Sequence, residues 1–324
     1  MRNSKSNYLI VAALSLLSIL TSCKKDALES ITPSNQNNAE QAQEATPPTD
    51  ASQFAEYNER NTGAMLLPES QYDKLQKVEN ANTTLVYPAS YYLSCPPIGN
   101  QGSEGSCVAF GTAYAARSIA RYYKTGASSY SYSSNIFSPE FIYNQIKIST
   151  CAGGSYATDA FNKMAYYLPW GSGGGVCTWT KMPYSSTNGC STMPNASQVS
   201  NASLYSISGY ATVNSVTNDI KNQLVQNRAV VVCGPVDTKF QNLAYGATYT
   251  SYNSAQKVGN HCYTVIGYSD AKHAFKVMNS WGTTWGTNGY GWINYDVVCT
   301  PPNWLGLSFS TGFWKEAYVI TSSK

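Results

Sequence analysis

Cys107 follows a polar, glycine-rich run, Gly99-Asn100-Gln101-Gly102-Ser103-Glu104-Gly105-Ser106, and opens a helical pattern. Apolar or small residues recur at Ala109, Ala113, Ala116, Ile119, Ala120 and Tyr123, which is one face of a helix, and Gly126 supplies a stop. Cys107 is therefore expected at a helix N-terminus. There the macrodipole favours the thiolate, the form that attacks carbonyls. Gln101 offers an amide donor that, with the Cys107 backbone N–H, would make an oxyanion hole. Such a nucleophile needs a base, and the chain holds two histidines. His273 ends the charged turn Ser269-Asp270-Ala271-Lys272 and reads as a solvated loop residue. His261 opens the apolar run Cys262-Tyr263-Thr264-Val265-Ile266-Gly267-Tyr268, a strand whose start is poised over an edge or cleft. By residue type alone, a buried core cysteine and a structural histidine are the commoner outcomes.

Two longer patterns change that reading. The run Asn100-Gln101-Gly102-Ser103-x-Gly105-Ser106-Cys107-x-Ala109-Phe110 resembles the nucleophile segment of papain-like cysteine peptidases. The run Asn279-Ser280-Trp281-Gly282-Thr283-Thr284-Trp285-Gly286-Thr287-Asn288-Gly289-Tyr290 resembles the long aromatic-glycine segment of the same family. The resemblance implies an α+β fold of two subdomains. Its N-terminal half would be helical and its C-terminal half antiparallel and β-barrel-like, with the active-site cleft between them. It implies catalytic roles for Gln101, Cys107, His261 and Asn279. In these, Asn279 holds the second imidazole nitrogen, Trp281 packs over that hydrogen bond, and thiolate and imidazolium form an ion pair. It also implies that Gly153 and Gly154 line the cleft and pair with bound peptide as an added strand. Ser155, Tyr156, Val232, Gly259 and Cys262 then surround the pocket for the second residue before the cut, and an apolar side chain is expected there. Two positions depart from the family: Glu104 replaces a disulfide cysteine and Val108 an aromatic.

Composition narrows the class further. With 12% charged residues and a net charge of +3, nucleic acid is not an expected partner. No cofactor is called for, and the absence of a C-x-x-C pair together with only two histidines argues against a zinc site. The expected partner is a peptide or protein substrate, and a monomer is expected. Residues 1–22 read as an export signal: Arg2 and Lys5, a short apolar stretch from Leu9 to Leu20, then Leu20-Thr21-Ser22-Cys23. That ending resembles a bacterial lipobox, in which Cys23 becomes the lipidated first residue. The resemblance implies a chain anchored to a bacterial cell envelope through its N-terminus.

Residues 23–85 read as a polar tether followed by a short segment in which Leu66-Leu67-Pro68-Glu69-Ser70 and Leu75 dock on the domain. The longer helical pro-domain of papain-like zymogens has no counterpart, so inhibition by such a domain is not expected. Residues 86–324 form the peptidase domain. Within it, Ser138-Pro139-Glu140 signals a capped helix start. A second helix with Ala160, Phe161 and Met164 is expected to run to Pro169, and the glycine run 171–175 reads as a surface insertion. Strands are expected at Ala229 to Cys233, Cys262 to Tyr268, Ala274 to Met278, Tyr290 to Tyr295 and Ala317 to Thr321.

Nine cysteines suit an oxidising compartment. With Cys23 lipidated and Cys107 the nucleophile, seven remain, so at least one is free. Because Glu104 removes one usual family bridge and a second partner is also missing, Cys151 and Cys190 are expected to pair with each other. Cys177 with Cys190 is the rival, and the Cys151–Cys190 bridge would leave Glu104 facing solvent beside the cleft. Two other functions stay open: a binding protein on an inactivated papain-like fold, and an exopeptidase or peptide-processing enzyme.

Overall fold

The computed structural model describes residues 60–78, 86–165, 174–185, 189–298 and 313–323. The export signal, Cys23, most of the tether, the glycine run at 171–173 and Cys299 lie outside the described residues. The elements used below are, in chain order, β1 (Ala64–Met65), α1 (Glu69–Tyr72), β2 (Ser90–Tyr92), α2, α3 (Pro139–Ile146), β3 (Ser155–Tyr156) and α4 (Ala157–Met164). The second half adds β4 (Ile207–Thr212), α5 (Thr217–Val225), β5 (Val230–Asp237), β6 (Thr248–Tyr249), β7 (Lys257–Ser269), β8 (Ala274–Met278), β9 (Tyr290–Asn294) and β10 (Glu316–Ser323).

Helix α2 is one continuous rod made of three stretches: a first α-turn Cys107–Ala109, a π-helical Phe110–Arg117 and an α-helical Ser118–Thr125. It ends where the sequence indicated, with Gly126 in the left-handed region at φ 62°. The π-helical middle was not legible in the spacing. Its cause is a pair of side chains that interfere with the ladder: the Thr264 hydroxyl of β7 donates to the Gly111 carbonyl at 3.0 Å, and Thr112 donates back to Val108 at 2.7 Å. Gly111 also lets the helix come close to β7, since a Cβ there would lie 3.3 Å from the Cys262 sulfur. In α3, Ser138 caps as its sequence suggests, its hydroxyl accepting from the Phe141 N–H at 3.0 Å. Helix α4 stops at Met164, earlier than Pro169.

The C-terminal half is an eight-stranded sheet in the order β4-β10-β5-β7-β8-β9-β6, with β2 also paired to β7. All the expected strands are present, and β7 begins at Lys257, several residues before its apolar run. The sheet is mixed rather than wholly antiparallel, because β6 runs parallel to β9. Every residue of β5 is buried, as its Val-rich run requires of a central strand covered on both faces. The first turn of α2 packs on β7, which carries His261. Cys107 and His261 thus come from the two halves, at their junction.

The described residues before the domain do more than dock. Leu66 and Leu75 pack on the core, the Leu67 N–H donates to the Glu316 carboxylate, and the Ala317 N–H donates to the Tyr72 hydroxyl at 2.9 Å. Upstream of them, β1 adds in parallel to β3.

Candidate active site

Helix α2 presents Cys107 as its first residue, and the following turn is buried against the sheet. His261 and Asn279 stand on β7 and just after β8. The His261 Nε2 and Asn279 Oδ1 lie 2.8 Å apart, so the amide oxygen accepts from the Nε2–H tautomer. The same oxygen accepts from the Ser280 N–H at 2.8 Å, which fixes the amide's orientation. Trp281 lies nearly flat over the imidazole, with ring centres 4.2 Å apart and planes tilted by 18°. Nδ1 of His261 is buried with no hydrogen-bond partner, and this is the nitrogen left to serve a thiol. The backbone of Cys262, next to His261, hydrogen-bonds to the Cys107 sulfur.

Gln101 is fully buried and held from three sides. Its backbone N–H donates to Ser280 at 2.8 Å, Ser280 Oγ donates to its Oε1 at 2.7 Å, and its Nε2 donates to the Glu104 carbonyl at 2.8 Å. The last bond uses one of the two Nε2 hydrogens, so the second is left for an oxyanion. Ser280 and Tyr184, whose hydroxyl donates to the Gln101 carbonyl at 2.7 Å, are positioning residues that the sequence reading did not assign. The Asn-Ser-Trp motif contains Ser280, but nothing in it marks the contact to a residue 179 positions away.

Charge in this state is the reverse of the ion pair expected. Burial pushes the Cys107 thiol up to about 12, although backbone hydrogen bonds from Cys262, Val108 and Gly63 pull the other way. Burial holds the His261 imidazole down, at about 4, with the Asn279 bond acting against it. Both groups are neutral near pH 7. The helix terminus contributes only locally, and withdrawal from water outweighs it.

The cause of that burial is the chain itself, since residues Arg60 to Met65 run through the cleft. The Gly63 N–H donates to the Asn260 carbonyl at 3.1 Å, and the Ser155 N–H donates to the Gly63 carbonyl at 2.9 Å. Trp281 Nε1 donates to the Asn61 carbonyl at 2.8 Å. Arg60 closes one end through the Gln241 and Thr284 carbonyls and Asn242. Glycines on the walls make the room. A Cβ on Gly154 would meet the Gly63 carbonyl at 2.6 Å, and one on Gly259 would meet Thr62 Oγ1 at 2.2 Å. Gly154, Gly259, Ser155 and Tyr156 therefore border an extended backbone, with Ser155 and Tyr156 making the strand pairing that Gly153 and Gly154 were expected to make. Gly153 instead accepts from the Tyr143 hydroxyl at 2.6 Å, and Gly154 accepts from the Ile148 N–H at 3.0 Å. Val232 and Cys262 are wholly buried on paired strands.

A disulfide joins Cys151 to Cys190, with Cα atoms 5.5 Å apart, as expected. Glu104 corrects its expectation. It does not face solvent: it is 1% exposed, accepts a 3.1 Å hydrogen bond from the Tyr184 hydroxyl and lies near buried Glu140. Burial first, then Glu140, raises its carboxyl to about 7. Glu104 and the sulfurs of Cys151 and Cys190 form a group within metal-ligand reach among the described residues, but the bonded sulfurs offer no thiolate.

The raised Glu104 carboxyl gives a signed expectation. A carboxyl with a folded pKa above its unfolded value stabilises below the unfolded value, and loses that contribution as pH rises through the folded one. Glu104→Gln keeps an acceptor for Tyr184 without the charge. It is expected to melt several degrees above the parent at pH 8 and close to it at pH 4.5, measured by calorimetry. An equal difference at both pH values would show that Glu104 ionisation plays no part.

The family model described as papain family cysteine protease matches residues 90–302. The chain is 31% identical over 199 residues to gamete and mating-type specific protein A of Dictyostelium discoideum, a match covering 60% of this chain and 39% of that one. It is 29% identical over 203 residues to cathepsin K of Mus musculus, covering 60% and 54%. Among solved structures, xylellain, a cysteine protease from Xylella fastidiosa, superposes with a TM-score of 0.63 at 19% identity, covering 83% of this chain and 97% of that one. ProCathepsin B S9 from Trypanosoma congolense gives 0.60 at 18%, covering 82% and 87%. With this match over residues 90–302, and with Cys107 at a helix start facing His261 on the sheet, the chain belongs to the papain family of cysteine proteases. The matched stretches span about half or less of the curated relatives' own lengths.

Proposed function

We propose that the chain is a cysteine-type endopeptidase that hydrolyses peptide bonds through Cys107. The observation that carries this is the ordered His261: Nε2 bound to Asn279 at 2.8 Å, ring covered by Trp281, and Nδ1 left unpartnered. When the cleft is open to water and peptide, Nδ1 takes the Cys107 proton. The thiolate attacks the scissile carbonyl carbon, and the carbonyl electron pair moves to oxygen. The Cys107 N–H and the remaining Gln101 hydrogen hold that oxyanion. As the tetrahedral species collapses, the imidazolium protonates the departing amine and leaves a thioester. Water then gives a proton to Nδ1 and attacks the thioester, and the restored thiolate leaves. Asn279 holds the tautomer throughout. The test is labelling of the full chain with an irreversible peptidyl probe for thiol peptidases, followed by peptide mapping. Modification at Cys107 is expected, and label confined to other cysteines would overturn the reading.

The substrate class under this reading is an extended peptide, because the cleft already holds one. Placement at a bacterial cell envelope rests on the Leu-Thr-Ser-Cys ending of the apolar run. Cys23→Ser is expected to abolish incorporation of labelled palmitate and to release the protein from membranes. Equal incorporation in the variant would exclude Cys23 as the anchor.

A further inference from the structure

Two more cysteines stand beside the base, and neither has a part in the mechanism above as a reacting group. Cys233 on β5 and Cys262 on β7 are directly opposite in the antiparallel register, one step from the Gly234–His261 pair. Opposite residues in such a ladder have Cα atoms about 4.5–5.5 Å apart, within the range that disulfides span. Their sulfurs lie 2.6 Å apart, closer than separate sulfur atoms rest against each other. Both side chains are wholly buried. The neighbouring titratable groups include the Cys107 thiol from α2, the Glu316 carboxyl from β10, whose residue pairs with Cys233, and the hydroxyls of Tyr72, Tyr263 and Tyr318. Gly111 of α2 covers the Cys262 sulfur.

We infer that Cys233 and Cys262 form a cross-strand disulfide that staples β5 to β7 beside His261. The chain already carries one disulfide, Cys151–Cys190, so the same oxidising chemistry reaches it. With a low-molecular-weight disulfide as oxidant, one protein thiolate attacks it, forming a mixed disulfide and expelling one small thiol. The second protein thiolate then displaces the other. The protein loses two hydrogens, and the reagent is reduced to two thiols. Burial holds both thiols above their usual range, so the exchange belongs to folding, before α2 closes over β7. The staple fixes the strand register where the base begins. It also removes from the nucleophile's surroundings the two thiols best placed to capture it, which leaves Cys107 unpaired. This inference does not depend on peptidase activity.

The full chain, folded without reductant, would be denatured in iodoacetamide, digested without reduction and mapped by mass spectrometry. The expected result is a peptide pair linked through Cys233 and Cys262, two hydrogens lighter than its reduced parts, with neither residue alkylated. Alkylation of both residues, or a link from Cys262 to Cys107, overturns the proposal. In Cys233→Ala the linked pair should vanish and Cys262 should become alkylated on denaturation. A Cys262 that stays unmodified in that variant has another partner, and the proposal fails. The mapping is made on denatured protein, so it reads the bond whether or not the variant folds well.

Discussion

Replacing Gly63 with alanine is expected to raise hydrolysis of a small peptide substrate by the full-length chain roughly 10- to 100-fold. The reason is steric and local. A Cβ at position 63 would lie 2.2 Å from the Gly105 carbonyl oxygen and 2.6 Å from two more Gly105 backbone atoms, none of which can swing aside. The segment would have to leave the cleft. The size follows from tethering: a covalently linked segment competes at an effective concentration in the millimolar range, and an intrinsic affinity of tens of micromolar leaves about one molecule in 10 to 100 open. Deletion through Met65 should give the same gain, since Leu66 and the segment after it remain to cover the core. Unchanged rates in both variants would mean that the cleft is not closed by this segment in solution.

Closure should also depend on pH in a definite direction. The closed form keeps His261 near 4, while an open imidazole titrates near its ordinary 6.5. Between those values the open form holds more protons, so closure weakens as pH falls from 6.5 toward 4. For Cys107, the closed form keeps its proton to about 12 against an ordinary 9, so closure also weakens as pH rises above 9. The segment is held most tightly between the two. The activity ratio of Gly63→Ala to parent should therefore be largest around pH 7–8 and shrink at pH 5.

Cys107→Ala in the Gly63→Ala background is expected to lower kcat/KM by at least about four orders of magnitude, because no other group supplies the nucleophile. Asn279→Ala should cost less, roughly 10- to 100-fold. It removes the acceptor for Nε2–H but leaves Trp281 stacked on the ring and the thiol in place. The open background keeps closure from masking either effect. Steady-state kinetics on one fluorogenic peptide would give both values, and a Cys107→Ala protein that cleaves at the parental rate would refute the mechanism.

What the chain order reveals, and what it conceals, follows from the range of each interaction. Gln101, Cys107, His261, Asn279 and Trp281 were legible because each sits in a short motif whose glycines and aromatics are dictated locally. The Gly286 backbone at φ 55°, with the Tyr290 carbonyl where a Cβ would go, is one such constraint. The capped start of α3 and the Val-rich β5 were legible for the same reason. The occupied cleft was not. Arg60-Asn61-Thr62-Gly63 is polar and aperiodic, and what holds it, the Asn260 carbonyl and the Trp281 indole N–H among others, lies about two hundred positions away. The neutral state of the closed site was not legible either, because a helix terminus can be seen in sequence, while burial by a distant segment cannot. The π-helical stretch of α2 and the burial of Glu104 depend likewise on Thr264 and Tyr184, which no spacing rule connects to them.

The buried thiol has a chemical meaning as well as a catalytic one. Oxidation of cysteine by peroxide begins at the thiolate and, once past the sulfenic stage, is not reversed in most proteins. Moving the thiol from an ordinary 9 to about 12 lowers its thiolate fraction at pH 7 roughly a thousandfold. The segment from Arg60 to Met65, whose Gly63 backbone meets Cys107, thus acts as a preservative. While the segment lies in the cleft, the sulfur stays in the thiol form that peroxide attacks slowly, until a substrate, or a cut in the segment, uncovers it.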